Sequence, residues 1–141
     1  ATVAADRNNS SIVVAGTGGS IYKWSDGGID WIEVLSNTTT TASRIRSMAV
    51  ALPRIYANTN QGTIWRSPDS GATWGQTHDA SGTGFLGGLV IDPGNPNNVY
   101  AGNFFTASPS TESKIIKSVN AGENWTHTGE GPETPDEIGG R

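Results

Sequence analysis

Residues 63–74 read Thr63-Ile-Trp-Arg-Ser67-Pro-Asp69-Ser-Gly71-Ala-Thr-Trp74. The first five positions alternate apolar and polar, the period-2 signal of a half-buried strand. The Asp-Ser-Gly that follows is a tight-turn string, in which the carboxylate accepts N–H groups of its own turn and Gly supplies a positive φ. The closing Trp lays a large apolar plate beside the turn. The same string occurs twice more. Ser20-Ile-Tyr-Lys-Trp24 leads into Asp26-Gly-Gly28-Ile-Asp-Trp31, and Lys114-Ile-Ile-Lys-Ser118 leads into Asn120-Ala-Gly122-Glu-Asn-Trp125, so the closing Trp residues are 43 and 51 positions apart.

A second hairpin precedes each of these. Val3-Ala-Ala-Asp6-Arg-Asn-Asn-Ser-Ser-Ile-Val-Val-Ala15-Gly16 slides by 86 positions, without a gap, onto Leu89-Val-Ile-Asp92-Pro-Gly-Asn-Pro-Asn-Asn-Val-Tyr-Ala101-Gly102. Met48-Ala-Val-Ala-Leu-Pro-Arg-Ile-Tyr-Ala57-Asn58 is the middle copy, with a shorter turn. Each repeat therefore holds about four short strands, the size of one propeller blade. The expectation is an all-β chain, one repeat array over 1–141, with units at about 1–44, 45–86 and 87–136 and a tail at 137–141. The extra length of the third unit falls at Asn103 to Ser113 and reads as a loop insertion.

Ser67 to Trp74 matches Ser-x-Asp-x-Gly-x-Thr-Trp, the Asp-box or BNR repeat, at every defined position. Ser118, Asn120, Gly122 and Trp125 match it with Asn for Asp, and Asp26, Gly28 and Trp31 match it with Trp24 at the Ser position. In this the chain resembles the Asp-box β-propellers, which include sialidases, xyloglucanase-type glycoside hydrolases, sortilin-type receptors and photosystem II assembly factors. The resemblance implies blades of four antiparallel strands, with the box joining the third and fourth strands at the periphery. It makes Asp26, Asp69 and Asn120 fold-keeping residues rather than catalytic ones. The Gly-His…Trp-Asp pattern of WD40 repeats and the paired glycines of kelch repeats do not recur.

Composition narrows the function classes. Gly makes up 19 of 141 residues, near twice the usual ~7 %, and Ser, Thr and Asn add 14, 16 and 11, which is turn chemistry rather than helix chemistry. A net charge of −4 argues against nucleic acid as the main partner. With no Cys there is no disulfide framework or thiolate metal site. No apolar run approaches the ~20 residues of a membrane helix. Neither a metal nor a cofactor is expected. The Asp92 loop is rich in oxygen donors but lacks the order and closing Glu of an EF-hand. Three blades do not close a ring, so the array is expected to be completed either by further blades of a longer chain or by a second copy.

In propellers the ligand face is made by loops joining strands two and three and by those linking blades. That places Arg44, Arg46, Asn60, His78, Asp79, Phe104 and Phe105 at one end. Phe104-Phe105 reads either as a stacking platform or as an anchor packed under its loop. Arg44 and Arg46 share a strand face by spacing and either meet an acidic ligand or stand solvated. His78 and Asp79 are adjacent, so in a strand they point apart and form no acid–base dyad. Pro53-Arg54-Ile55-Tyr56 only faintly echoes the Phe-Arg-Ile-Pro element of sialidases. The paired acids of a glycosidase are not evident, and no catalytic residue is assigned. The reading is a non-catalytic recognition or scaffold propeller for a glycan or a protein surface, extracellular or surface-associated. The alternatives are a fragment of a glycoside hydrolase and a structural component of a virion or cell-surface layer.

Overall fold

A computed structural model describes residues 1–25, 28–36, 43–80, 84–105 and 115–128, with the backbone alone at 84, 85 and 103–105. Among them there is no helix, and so none long and apolar enough to cross a membrane. The described residues form three four-stranded antiparallel meanders. The first comprises β1 (Thr2–Ala5), β2 (Ile12–Thr17), β3 (Ser20–Ser25) and β4 (Ile32–Leu35). The second comprises β5 (Ile45–Ala51), β6 (Arg54–Thr59), β7 (Thr63–Ser67) and β8 (Gly75–Asp79). The third comprises β9 (Gly84–Ile91), β10 (Val99–Phe105), β11 (Ile115–Ser118) and β12 (Thr126–His127).

Repetition extends to the irregularities. The β3–β4 register shifts between Ile21 and Tyr22, and the β7–β8 register between the equivalent Ile64 and Trp65. The third sheet starts at Gly84 rather than near 87, because Gly84, Phe85 and Leu86 pair with Phe105, Phe104 and Asn103. The same pairing corrects a second expectation. Phe104 and Phe105 do not open a loop; their backbone is strand, and the remainder of the expected insertion, 106–114, lies outside the described residues.

Strand alternation explains how the sheets stack. In β6, Ile55 and Ala57 join Val14, Ile21, Ile45 and Met48 in a core between the first and second sheets. Tyr56, on the opposite face, joins Ile64, Leu86, Leu89, Val99, Ala101 and Ile116 between the second and third. The middle sheet is thus covered on both faces, which is why β6 is buried almost continuously rather than at every second position. Each fully buried large aliphatic side chain contributes about 1.5–3 kcal/mol.

Polar contacts lock this stacking. Asp6, in the β1–β2 turn, accepts the N–H groups of Asn8 (2.7 Å) and Asn9 (2.9 Å) on one oxygen and that of Leu52 in the second sheet (2.7 Å) on the other. Burial alone would raise the Asp6 pKa. The three N–H donors and the Arg7 charge outweigh it and hold the carboxyl below its usual range. Ser47 Oγ accepts the Leu89 N–H (3.0 Å), the Asn58 side-chain amide donates to the Gly87 carbonyl, and Arg54 reaches Asn97 Oδ1 (2.9 Å) and the Pro96 carbonyl (3.3 Å).

Asp6→Ala is expected to cost about 1–3 kcal/mol, because it leaves N–H groups at a sheet junction without their acceptor. The contribution has a sign in pH. A carboxyl whose folded pKa is depressed stabilises fully above its unfolded value of about 3.9 and loses that stabilisation as pH falls through the folded value. Urea midpoints at pH 7 should separate the variant from the parent, and the gap should narrow towards pH 2. A gap constant with pH would refute the ionised acceptor.

Candidate functional site: two ends of the sheet array

A four-stranded meander has two ends. At one lie the turns between first and second strands and those between third and fourth. At the other lie the turns between second and third strands and the links from one sheet to the next.

The first end is built of hydrogen-bonded turns. Ser67 Oγ donates to Asp69 Oδ1 (2.9 Å) and accepts the Gly71 N–H (2.8 Å). Asp69 Oδ1 also accepts the Thr73 N–H (2.8 Å), and Oδ2 accepts the Thr73 hydroxyl (2.6 Å). The Thr73 hydroxyl and N–H, with Ser67, hold the Asp69 pKa below its ordinary value. In the third sheet Ser118 Oγ donates to Asn120 Oδ1 (2.9 Å) and accepts the Gly122 N–H (2.8 Å), while Asn120 Oδ1 accepts the Asn124 N–H (3.0 Å). An amide has one acceptor oxygen where a carboxylate has two. Asn replaces Asp in the copy where Thr73, whose hydroxyl uses the second oxygen, is itself replaced by Asn124.

These turns set two residues in the left-handed region, Ser70 (φ 59°) followed by Gly71 (φ 91°), and Ala121 (φ 60°) followed by Gly122 (φ 79°). Trp74 packs against the core between sheets one and two, and Trp125 against the next. The first sheet differs. Trp24 stands in the Ser position and its indole N–H donates to the Gly28 carbonyl (2.9 Å); Trp31 is 47 % exposed, and Asp26 lies outside the described residues. Asp92 accepts the N–H groups of Gly94 (2.8 Å) and Asn95 (3.3 Å), which is a turn function.

The other end gathers part of the expected ligand face. The Arg44 N–H donates to Asn60 Oδ1 (2.6 Å), the Asn60 N–H to the Arg44 carbonyl (2.9 Å), the Ile45 N–H to the Gly18 carbonyl (2.8 Å) and the Ala80 N–H to the Gly62 carbonyl (2.9 Å). Arg44 and Asn60 are therefore joined directly. Asp79 lies opposite Thr63 at the end of β8. Arg44 and Arg46 are both exposed, but the β5–β6 register shifts between Ile45 and Ser47, which interrupts the alternation their shared face assumed.

His78 is not part of that group. It sits at the outer junction of sheets two and three, its ring 6.4 Å from that of Trp125, whose indole N–H donates to Thr77 Oγ1 (3.2 Å). Its buried Nε2 has no hydrogen-bond partner among the described residues. Burial pushes its pKa below the usual value, with the His127 charge adding and Asp79 opposing.

Inter-sheet contacts of Lys23, Tyr56 and Arg66 were not singled out from sequence. Lys23 Nζ donates to the Ser70 carbonyl (3.0 Å), Tyr56 Oη donates to the Ala121 carbonyl (2.8 Å), and Arg66 lies 3.5 Å from Glu123. The available signal was positional: Lys23, Arg66 and Lys117 fall at one repeat position, and Tyr56 and Tyr100 at another.

No family model matches the sequence. The chain is 30 % identical over 129 residues, 89 % of its length, to a xyloglucanase from Hypocrea jecorina, of which it spans 15 %. Among solved structures it is similar to an ancestral GH74 enzyme, at TM-score 0.66 and 22 % identity, over 97 % of this chain and 19 % of that one. It is also similar to YCF48 bound to D1 peptide, at TM-score 0.63 and 14 % identity, over 89 % of this chain and 42 % of that one. The likeness shows the fold: the three sheets are part of a β-propeller.

Two measurements check the geometry. A Cβ at Gly122 would collide with the Tyr56 ring at Cε1, whereas one at Gly71 would meet only ordinary contacts at 3.7 Å. Both alanine variants incur left-handed strain of about 1–2 kcal/mol. Gly122→Ala should cost a further ~1–3 kcal/mol for overpacking, so equal losses in thermal or urea unfolding would overturn the placement of Tyr56. For His78, neutrality is favoured in the fold, so its contribution is complete above pH ~6.5 and declines as pH falls below that value. His78→Gln should flatten the loss of thermal stability between pH 7 and 5; an unchanged pH slope would count against the buried site.

Proposed function

We propose that this chain is a glycan-recognising, non-catalytic section of a larger xyloglucanase-like propeller. In this reading its Asp-box turns hold adjacent blades, and the Arg44–Asn60 end faces the polysaccharide. The similarity over 89 % of the chain to a protein named xyloglucanase is the observation that carries it. Chemistry supports the division of ends. Asp69 and Asp92 are engaged as turn acceptors at the far end, while Arg44 and Arg46 expose planar donors suited to sugar hydroxyls. Remaining blades come from a longer polypeptide, and the setting is extracellular, where a polymeric plant-type glycan is met.

A second reading, recognition of a peptide, has its support in the likeness to YCF48 bound to D1 peptide. A third, a catalytic fragment of a glycoside hydrolase, predicts turnover.

Calorimetry with xyloglucan oligosaccharides is expected to show binding that weakens about tenfold, roughly 1.4 kcal/mol, in Arg44→Ala/Arg46→Ala. Release of reducing sugar from xyloglucan by the purified chain would overturn the non-catalytic assignment. Absence of glycan binding would sink the proposal, and capture of peptides by the same end would favour the second reading.

A further inference from the structure

Both junctions between sheets follow one pattern. The leading sheet of each presents four positions to the sheet after it. In the first sheet these are Ala4, Val14, Ile21 and Lys23; in the second, Ala49, Tyr56, Ile64 and Arg66. Val14, Ile21, Tyr56 and Ile64 are fully buried, and Ala4 and Ala49 pack against the two cores. The basic residue and the tyrosine reach the next sheet's third-to-fourth turn: Lys23 donates to the Ser70 carbonyl, and Tyr56 donates to the Ala121 carbonyl.

The third sheet carries the same positions as Val90, Tyr100, Ile115 and Lys117. Here Val90 is 60 % exposed, and Tyr100 and Ile115 are only half-buried where their counterparts are fully buried. Lys117 Nζ stands 5.3 Å over the Tyr100 ring. This face has the composition of a junction, including an apolar patch that at both described junctions is covered.

We infer that the Val90–Tyr100–Ile115–Lys117 face docks a fourth repeat unit of a longer polypeptide, whose Ser-x-Asp/Asn-x-Gly turn offers its left-handed carbonyl to Tyr100 Oη and Lys117 Nζ. The inference rests on the partial-propeller part of the proposed function and is independent of the ligand. Two observations choose this occupant. At both described junctions the covering unit is the next in the chain, and the relatives are longer, the chain spanning 15 % of one and 19 % and 42 % of two others. A second copy would lead with its own first turn, where Trp24 stands at the serine position and donates to the Gly28 carbonyl, so the hydroxyl that anchors the other two turns has no counterpart at that position.

The test appends a copy of residues 84–128 to the 141-residue chain and follows urea unfolding of both. The longer chain is expected to have a higher midpoint, since coverage of an end face adds a nearest-neighbour interface. Tyr100→Phe and Lys117→Met together should remove most of that rise in the longer chain and lower the midpoint of the 141-residue chain far less, by no more than the loss of the Lys117–Tyr100 ring contact. Conservative in size, they test donors rather than foldability. No rise on extension, or equal effects of the substitutions on both chains, would overturn the inference. So would a 141-residue dimer in sedimentation that Tyr100→Phe disperses, since that would make the occupant a second copy. Xyloglucan binding is read separately, so its loss alongside intact docking would sink only the functional proposal.

Discussion

One residue in the third-to-fourth turn of the second sheet, and one in that of the third, ties its own sheet to the sheet before. Ser70 donates its N–H to the Pro53 carbonyl of its own sheet (2.7 Å) and offers its carbonyl to Lys23 of the sheet before. Ala121 repeats this, donating to the Asn97 carbonyl (2.9 Å) and accepting from Tyr56. Such two-way pairing requires the residue to turn through the left-handed region, which for a non-glycine costs of order 1–3 kcal/mol. The serine hydroxyl and the Asp or Asn side chain around it satisfy the turn's own N–H groups, so the strained peptide remains the better arrangement. Ser67, Asp69 and Gly71 are therefore means of presenting one carbonyl sideways.

Sideways presentation explains why stability in this chain is a property of junctions. A single four-stranded sheet has two apolar faces and covers neither. Only the middle sheet has neighbours on both sides, and it holds Ile55, Tyr56, Ala57 and Ile64 fully buried. Val3, at the leading face of the first sheet, is 66 % exposed, whereas its counterparts Met48 and Leu89 are 8 % and 7 % exposed. The same residue class at the same repeat position changes from surface to core solely by the presence of a preceding sheet, as expected of a quasi-one-dimensional array.

Such repetition also decides what could be read from sequence. The strand–turn–Trp strings and the 86-residue slip contain the fold, because each element's periodicity and turn chemistry are local. Bulges and long contacts are not local. The third unit is expected from about 87, whereas the sheet pairing begins at Gly84, and Phe104 and Phe105 are expected in a loop because the third unit's extra length falls at Asn103 to Ser113. His78 falls in the link between the second and third units and is expected at the ligand end, but its environment is Trp125, 47 residues on and in another sheet. Asp6 falls within the first hairpin string of the sequence. Its second oxygen bonds Leu52, a partner that only the stacking of sheets reveals. Of the expected ligand face, Arg44 and Asn60 are joined by backbone-mediated pairing, and no single-strand pattern encodes that link.

Division of labour between the two ends follows from where carboxylates are spent. Asp6, Asp69 and Asp92 each accept several donors at the turn end, and their pKa values are held low by those donors. Groups held ionised by their own turns are poor proton donors at neutral pH. The opposite end is built differently. Its turns are closed by main-chain pairs such as Asn60 to Arg44 and Ala80 to Gly62, with the Arg44 N–H on Asn60 Oδ1 and the Ile45 N–H on the Gly18 carbonyl linking the first and second sheets. Side-chain carboxylates thus serve the turns of one end, while the Arg44–Asn60 end is held by main-chain and amide pairs.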